Sequence, residues 1–309
     1  MILQAIINKE RYFSIRNLVY LEDKNIIRIK SRLLLLSYIS LLSRFTRQKI
    51  HQIIVHEKLL IVLIRKKFLF YDKNGVLLSE IKIKNGSRPL RQGVEIIGNH
   101  LYYGEYWTNK KRVPVKLYKV NLQTYEIQVV CEFNNVRHIH AVQKDILFSN
   151  KVLVCTGDSD TESGIHQVDI NNGSLETICQ GNQDCRAVSL LQVDSQIFWG
   201  SDSPNRVNSI YSIDRNSQNS YVKICNIEGP AYYSVKLSTG DMYISTAIEN
   251  KVRHKAVIYK SCDTGNTWTK YKQYKKDIWP IKLFGYGVIE FPSGLDNSDK
   301  LEYTTVGLR

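Results

Sequence analysis

Three arginines recur at one spacing. Arg91, Arg137 and Arg186 are 46 and 49 residues apart, and each stands just before a short apolar run (LRQGVEI, VRHIHAV, CRAVSLL). If the repeats close into a ring, residues at one repeat position converge on its axis. Three guanidiniums there would grip a carboxylate or sulfate through forked, charge-assisted hydrogen bonds worth ~1.5–3 kcal/mol each. In Arg137-His138-Ile139-His140, strand alternation puts both histidines on one face and the arginine on the other. Such a pair suits proton transfer or a metal. No third ligand stands at a fixed spacing, so neither a metal nor another cofactor is expected. Glu105-Tyr106-Trp107, Asp158 and Asp202 follow apolar runs in a shared register. Carboxylates beside aromatic rings are what a sugar site needs, as hydroxyl acceptors, stacking platforms and an acid or base. Tyr232 and Tyr286 fall on later inner positions, where a tyrosine beside a carboxylate such as Glu290 serves as nucleophile, or joins His140 in the base pair of a lyase. The expected catalytic set is therefore His140, Glu105, Asp158, Asp202 and Tyr286. The expected ligand-binding set is Arg91, Arg137, Arg186, His138, Trp107 and Tyr232. A plainer reading stands beside each: Asp and Ser open turns, and tyrosines pack cores.

The elements that must position these residues are strands. Leu117–Asn121, Ile165–Asp169, Ile210–Asp214 and Ile258–Ser261 repeat at lags of 48, 45 and 48, and a second run (LYYG, VLVC, IFWG, MYIS) precedes each. A third run precedes those, near 92–97, 138–143, 186–191 and 232–237. Each unit is thus about 46 residues of short Val/Ile/Tyr-rich strands between Asn, Asp, Gly and Ser turns, the period of a four-stranded propeller blade. The sequence predicts an all-β, six-bladed β-propeller in one domain, with seven blades the runner-up. The blades are expected at roughly 48–90, 91–136, 137–184, 185–228, 229–278, and 279–309 plus 8–31. The last is a blade shared between the two ends, which removes exposed sheet edges. One short helix is expected near 32–46, where LLLLSYISLL is too short to span a bilayer.

Residues 261–268 read Ser-Cys-Asp-Thr-Gly-Asn-Thr-Trp. This S-x-D-x-G-x-T-W run resembles the Asp box of the sialidase-type, bacterial-neuraminidase-repeat propellers. Asp263 would accept turn N–H groups, Gly265 take φ > 0, and Trp268 pack onto the blade. Asn121, Asp169 and Asp214 fall at the same corner of other repeats. The resemblance implies a propeller whose Asp-box rim lies away from the active centre, and a sugar carboxylate gripped by three arginines. The chain departs from true sialidases in its aromatic-Arg-aliphatic-Pro motif, for which Ser87-Arg88-Pro89 is the nearest candidate. It reads as a divergent member of that superfamily.

The chain of 309 residues carries 43 Lys+Arg against 29 Asp+Glu, a formal charge of +14. That excess favours acidic partners. The basic residues are scattered rather than clustered, which argues against nucleic acid, and an acidic sugar or polysaccharide is the expected partner. The function expected is a propeller that recognises, and in its enzymatic form cleaves, an acidic glycan as a hydrolase or lyase. The alternative is a non-catalytic interaction or glycan-binding scaffold. With no export signal or membrane span read in the sequence, a cytoplasmic protein with six reduced cysteines is expected, and Cys155 and Cys262 are expected as buried strand residues.

Overall fold

The computed structural model describes residues 1–29, 49–217, 220–250 and 254–309. The helix expected near 32–46 lies outside them. Short Val/Ile/Tyr-rich runs broken by tight turns fold here as meandering antiparallel sheets. Six four-stranded sheets follow one another along the chain, within 2–28, 50–82, 94–133, 139–180, 191–227 and 231–275, and are called blades 1 to 6. They form a six-bladed β-propeller. The inner strands are Ile2–Ile7, Ile50–His56, Val94–Ile97, Ile139–Lys144, Leu191–Val193 and Ala231–Lys236. One short helical turn, Ile281–Phe284, stands between blade 6 and the C-terminal strands.

Alternation along the strands gives each blade two apolar faces, and the core lies between blades. Val19 and Ile27 of blade 1 pack on Ile53, Val62 and Tyr71 of blade 2. Phe68 and Phe70 of blade 2 pack on Tyr103 and Tyr118 of blade 3. Four further clusters repeat this pattern around the ring. Outer strands such as Thr269–Lys275 are almost wholly exposed.

The ring does not close through a shared blade. Blade 1 has four strands of its own, Ile2–Ile7, Glu10–Ile15, Leu18–Leu21 and Lys24–Arg28. The turns between them are so short that Asn8, Lys9, Arg16 and Glu22 take positive φ, which is why the first run, Ile2–Ile7, belongs to the sheet. The C-terminal strands Val288–Glu290 and Thr304–Val306 make a separate two-stranded sheet. It is wedged between blades 6 and 1, where Ile289, Phe291 and Leu295 complete one core with Leu3, Ile6 and Tyr243. Closure is a backbone splice: Ser293 N–H donates to Gln4 O (2.8 Å) and Ile6 N–H to Ser293 O (2.8 Å).

The S-x-D-x-G-x-T-W corner is a hydrogen-bonded knot. Asp263 Oδ1 accepts from Ser261 Oγ (2.8 Å) and Thr267 N (3.0 Å), and Oδ2 from Thr267 Oγ1 (2.6 Å). Gly265 has φ +92°, and a Cβ there would stand 2.4 Å from Phe198 of blade 5. Trp268 is half-buried against the core between blades 5 and 6. Asp72, Asn121, Asp169 and Asp214 accept the N–H two residues on at the matching corners.

Two cysteine expectations fail. Cys179 and Cys185 form a disulfide with Cα atoms 5.8 Å apart. Asn182 caps the turn between them, accepting from Asp184 N and Cys185 N, and so folds the segment back on itself. Cys262 is exposed, since it lies in the corner beyond the strand; Cys155 is buried. Among the described residues, no helix is long and apolar enough to cross a membrane.

Candidate functional site at the channel mouth

All inner strands start at one end of the channel, and the loops between second and third strands return to the same end. The repeat therefore delivers to one rim the residues just before each inner strand (137, 138, 186) and just after each second strand (106, 107, 158, 202, 249). A cavity of about 700 Å³ follows the axis below this rim, lined by Gln52, Arg91, Gln143, Ser234 and Ser293 among others. The charged cluster lies outside that cavity.

Asp158 is the hub. Arg137 Nη1 lies 2.6 Å from Oδ2, and Arg186 Nη2 lies 3.0 Å from Oδ1. His138 Nε2 and His140 Nε2 stand 3.4 and 3.5 Å from Oδ1, and 2.8 Å from each other. The outer nitrogens are fixed from behind: His138 Nδ1 faces Trp107 O at 2.8 Å and His140 Nδ1 faces Ala187 O at 3.2 Å. A carbonyl only accepts, so each Nδ1 carries the proton. Tyr106 lies over His138 with ring centroids 4.3 Å apart. Burial works to raise the Asp158 carboxyl; when the histidine pair is protonated, its hydrogen bonds and charge overcome burial and hold the carboxyl far below the usual carboxylate range. Burial brings His140 down to about 4, against the pull of Asp158. Burial, then Asp158 and Asp202, push the Tyr106 phenol up to about 12.

Arg186 Nη2 also reaches Asp202 Oδ2 at 3.2 Å. Asp202 is buried with Oδ1 unpartnered. Burial pushes its carboxyl well up, Arg186 opposes, and Glu249 and Asp158 add to the rise. Two carboxyls sharing one guanidinium are thus driven in opposite directions, the arrangement that separates an acid from its ionised partner. Tyr232 donates its hydroxyl to Glu249 Oε1. Burial, with Asp202 and Glu249, raises that phenol well above its ordinary value. Tyr286, 47% exposed, acts electrostatically on both Tyr106 and Tyr232.

The rim therefore gathers His138, His140, Asp158, Asp202, Arg137, Arg186, Trp107, Tyr232 and Tyr286. Two expected residues do not join. Glu105 is turned into the wall of blade 3, accepting from Asn85 Nδ2 (2.8 Å), Tyr118 Oη (2.9 Å) and Lys116 N (3.1 Å). Three accepted hydrogen bonds tie both its oxygens to the fold. Arg91 is buried against the C-terminal splice, with Nη2 2.8 Å from Gln4 Oε1 and 3.0 Å from Glu290 Oε2. The three-arginine grip is thus reduced to two, and Glu290 pairs with Arg91 rather than a tyrosine. The C-terminal segment, folded between blades 6 and 1, is what brings Glu290 to it.

Three contributors were missed. Glu249 follows the second strand of blade 6 as Asp158 and Asp202 follow theirs, so the register held the signal. Tyr106 sits inside a tripeptide already singled out. Glu162, which accepts from Arg137 N (3.0 Å) and Arg112 Nε (2.7 Å), has no counterpart in other repeats. The third donor beside the histidine pair, absent from any local spacing, is Asp158, which comes from the next strand.

No known protein family and no curated protein matches the chain in sequence. Solved structures match in fold. The extracellular domain of a hybrid two-component system from B. thetaiotaomicron is similar over 92% of this chain at 14% identity, with a TM-score of 0.56. The GH74 enzyme of Niastella koreensis is similar over 87% at 13% identity and a TM-score of 0.56. The WD40 propeller of Doa1 is similar over 93% at 10% identity and a TM-score of 0.55. The chain spans 34%, 45% and 89% of those three proteins. The fold is a β-propeller.

Proposed function

We propose that the protein is a divergent sialidase-like propeller that binds an acidic sugar at the channel mouth and cleaves its glycosidic bond. The observation that carries the reading is the Tyr232–Glu249 hydrogen bond beside Asp202, a carboxyl that burial drives toward its protonated form. In this mechanism Tyr232 Oη attacks the anomeric carbon as Glu249 takes the phenolic proton. Asp202 gives its proton to the leaving oxygen, and the glycosidic bond breaks. Water, deprotonated by Asp202, then releases the sugar from Tyr232, and Glu249 returns the phenolic proton. A neutral phenol is a poor nucleophile, which is why a base beside it matters. Arg137 Nη2 has no hydrogen-bond partner among the described residues, so this partly exposed arginine keeps a donor for a sugar carboxylate, and Arg186 adds its positive charge beside it. Tyr106 and the half-exposed Tyr286 offer stacking surface. The +14 charge favours an acidic ligand, and the Asp263 corner agrees with the superfamily.

The test is a panel of fluorogenic glycosides bearing a nonulosonate, a uronate or a neutral hexose. Cleavage of an acidic glycoside is expected, with kcat falling ~10²–10⁴-fold in Tyr232→Phe and in Asp202→Asn. Glycan binding with no cleavage of any substrate would make the protein a scaffold. Equal binding of acidic and neutral sugars would remove the role given to Arg137 and Arg186.

A further inference from the structure

We infer that His138, His140 and Asp158 form a binding site for one divalent transition-metal ion at the channel mouth. The starting point is a contact that neutral groups do not make. Both Nδ1 atoms donate to backbone carbonyls, at Trp107 and Ala187. In the neutral rings both Nε2 atoms therefore carry lone pairs, and these face each other at 2.8 Å. Two lone pairs at that distance repel unless a cation lies between them. The third atom of the group, Asp158 Oδ1, stands 3.4 and 3.5 Å from the two nitrogens. That is long for a hydrogen bond but right for neighbouring ligands of one ion. Ligands ~2.1 Å from a metal are about 3.0 Å apart in an octahedron and about 3.4 Å apart in a tetrahedron. The three observed separations span that range, and an ion at this distance from all three sits ~0.9 Å out of their plane. The ligands would thus occupy one face of the ion and leave other positions open.

The surroundings have the form of a metal site. Each histidine donates its outer N–H to a backbone carbonyl, which fixes the tautomer and aims the ring as in known metal centres. Both rings are nine-tenths or more buried, so the site is preformed. Asp158 is itself oriented by Arg137 and Arg186. The guanidiniums repel a dication, and the Asp158 carboxylate itself and Glu249, whose charge reaches Arg186, offset them. Two imidazoles and one carboxylate select an N/O-loving ion such as Zn²⁺, Mn²⁺ or Fe²⁺ over Ca²⁺ or Mg²⁺, which prefer oxygen alone. The inference stands apart from the glycosidase reading, since it rests on other atoms and its test needs no substrate.

The rival occupant is a proton shared between the two nitrogens. Full-length protein freed of metal by chelator is titrated calorimetrically with Zn²⁺ and with Mn²⁺, and Co²⁺ is added as a spectroscopic probe. One ion per chain is expected, with Co²⁺ showing the visible absorption of mixed nitrogen and oxygen ligands. Asp158→Asn should weaken binding at least about tenfold, and His140→Ala should abolish it. Far-UV circular dichroism of the metal-free variants must match wild type. If His140→Ala fails to fold, His138→Gln takes its place. No stoichiometric uptake by wild type, or equal uptake by Asp158→Asn and the histidine variant, overturns the inference, the first in favour of the shared proton.

Discussion

Arg186 is the residue through which the mouth cluster can be tested as a physical object. Its Nη2 serves Asp158 Oδ1 at 3.0 Å and Asp202 Oδ2 at 3.2 Å, and its Nη1 donates to Asp158 O at 3.0 Å. Arg186→Met keeps the length of the side chain and removes the charge. Asp158 retains Arg137, whereas Asp202, with a side chain 5% exposed, has no other cation within ion-pair distance among the described residues. Leaving a buried carboxylate without its partner costs about 3–5 kcal/mol. Proton uptake limits the loss. Burial already raises the Asp202 carboxyl and Arg186 opposes the rise, so the variant raises it further. A carboxyl whose folded pKa lies above its unfolded value contributes stability that is complete below about pH 3.9 and lost as pH rises through the folded value. The deficit of the variant should therefore be largest near pH 8 and shrink toward pH 5. Urea unfolding followed by tryptophan fluorescence at both pH values measures it. The double variant Arg186→Met/Asp202→Asn should recover much of the loss at pH 8, because the unpaired charge is gone. A deficit under about 1 kcal/mol at pH 8, or a double variant no more stable than the single, would refute the assignment of Arg186 as the counter-charge of Asp202.

Two further outcomes follow from the fold. Gly265→Ala should destabilise by about 3 kcal/mol, from strain at φ +92° and a Cβ 2.4 Å from the Phe198 ring; a loss under about 1 kcal/mol in urea unfolding would mean the corner does not press on blade 5. Cys185→Ser opens the loop closed onto Cys179 and should cost about 2 kcal/mol for so short a ring. A reductant should lower the unfolding temperature of wild type and leave the variant unmoved, and an equal response from both would show that no such bond forms.

The blades were legible because their signal is local and repeated. The third strands Val115–Asn121, Gly164–Asp169, Asn208–Asp214 and Lys255–Ser261 all cover the runs whose lags set the period. Radial convergence followed from the period alone, which is how Arg137, His138, Asp158, Arg186, Asp202 and Tyr232 came to one rim. What failed were pairings that the repeat does not encode. Arg91 shares the arginine register, but its direction is set by Glu290 and Gln4, one at each end of the chain. Glu105 shares the carboxylate register, but Tyr118 on the neighbouring strand claims it. The disulfide was invisible because an Asn-capped turn, not a cysteine spacing, brings Cys185 to Cys179. The shared blade failed because turns as short as Asn8-Lys9 let one stretch of chain hold four strands where two were expected.

The splice at Ser293 sets a timetable for synthesis. Gln4, Ala5 and Ile6 form one side of the seam, and their partner is separated from them by nearly the whole chain. At ~5–20 residues per second, the ribosome delivers Ser293 roughly 15–60 s after Ala5. Throughout that interval the inner edge of the first blade lacks its bridge to Ser293, and Leu3 and Ile6 lack Ile289 and Leu295, against which they finally pack. A nascent propeller of this design is an open arc carrying a sticky inner edge, and the same atoms that later lock the ring are, until then, the place where two growing chains can pair with each other.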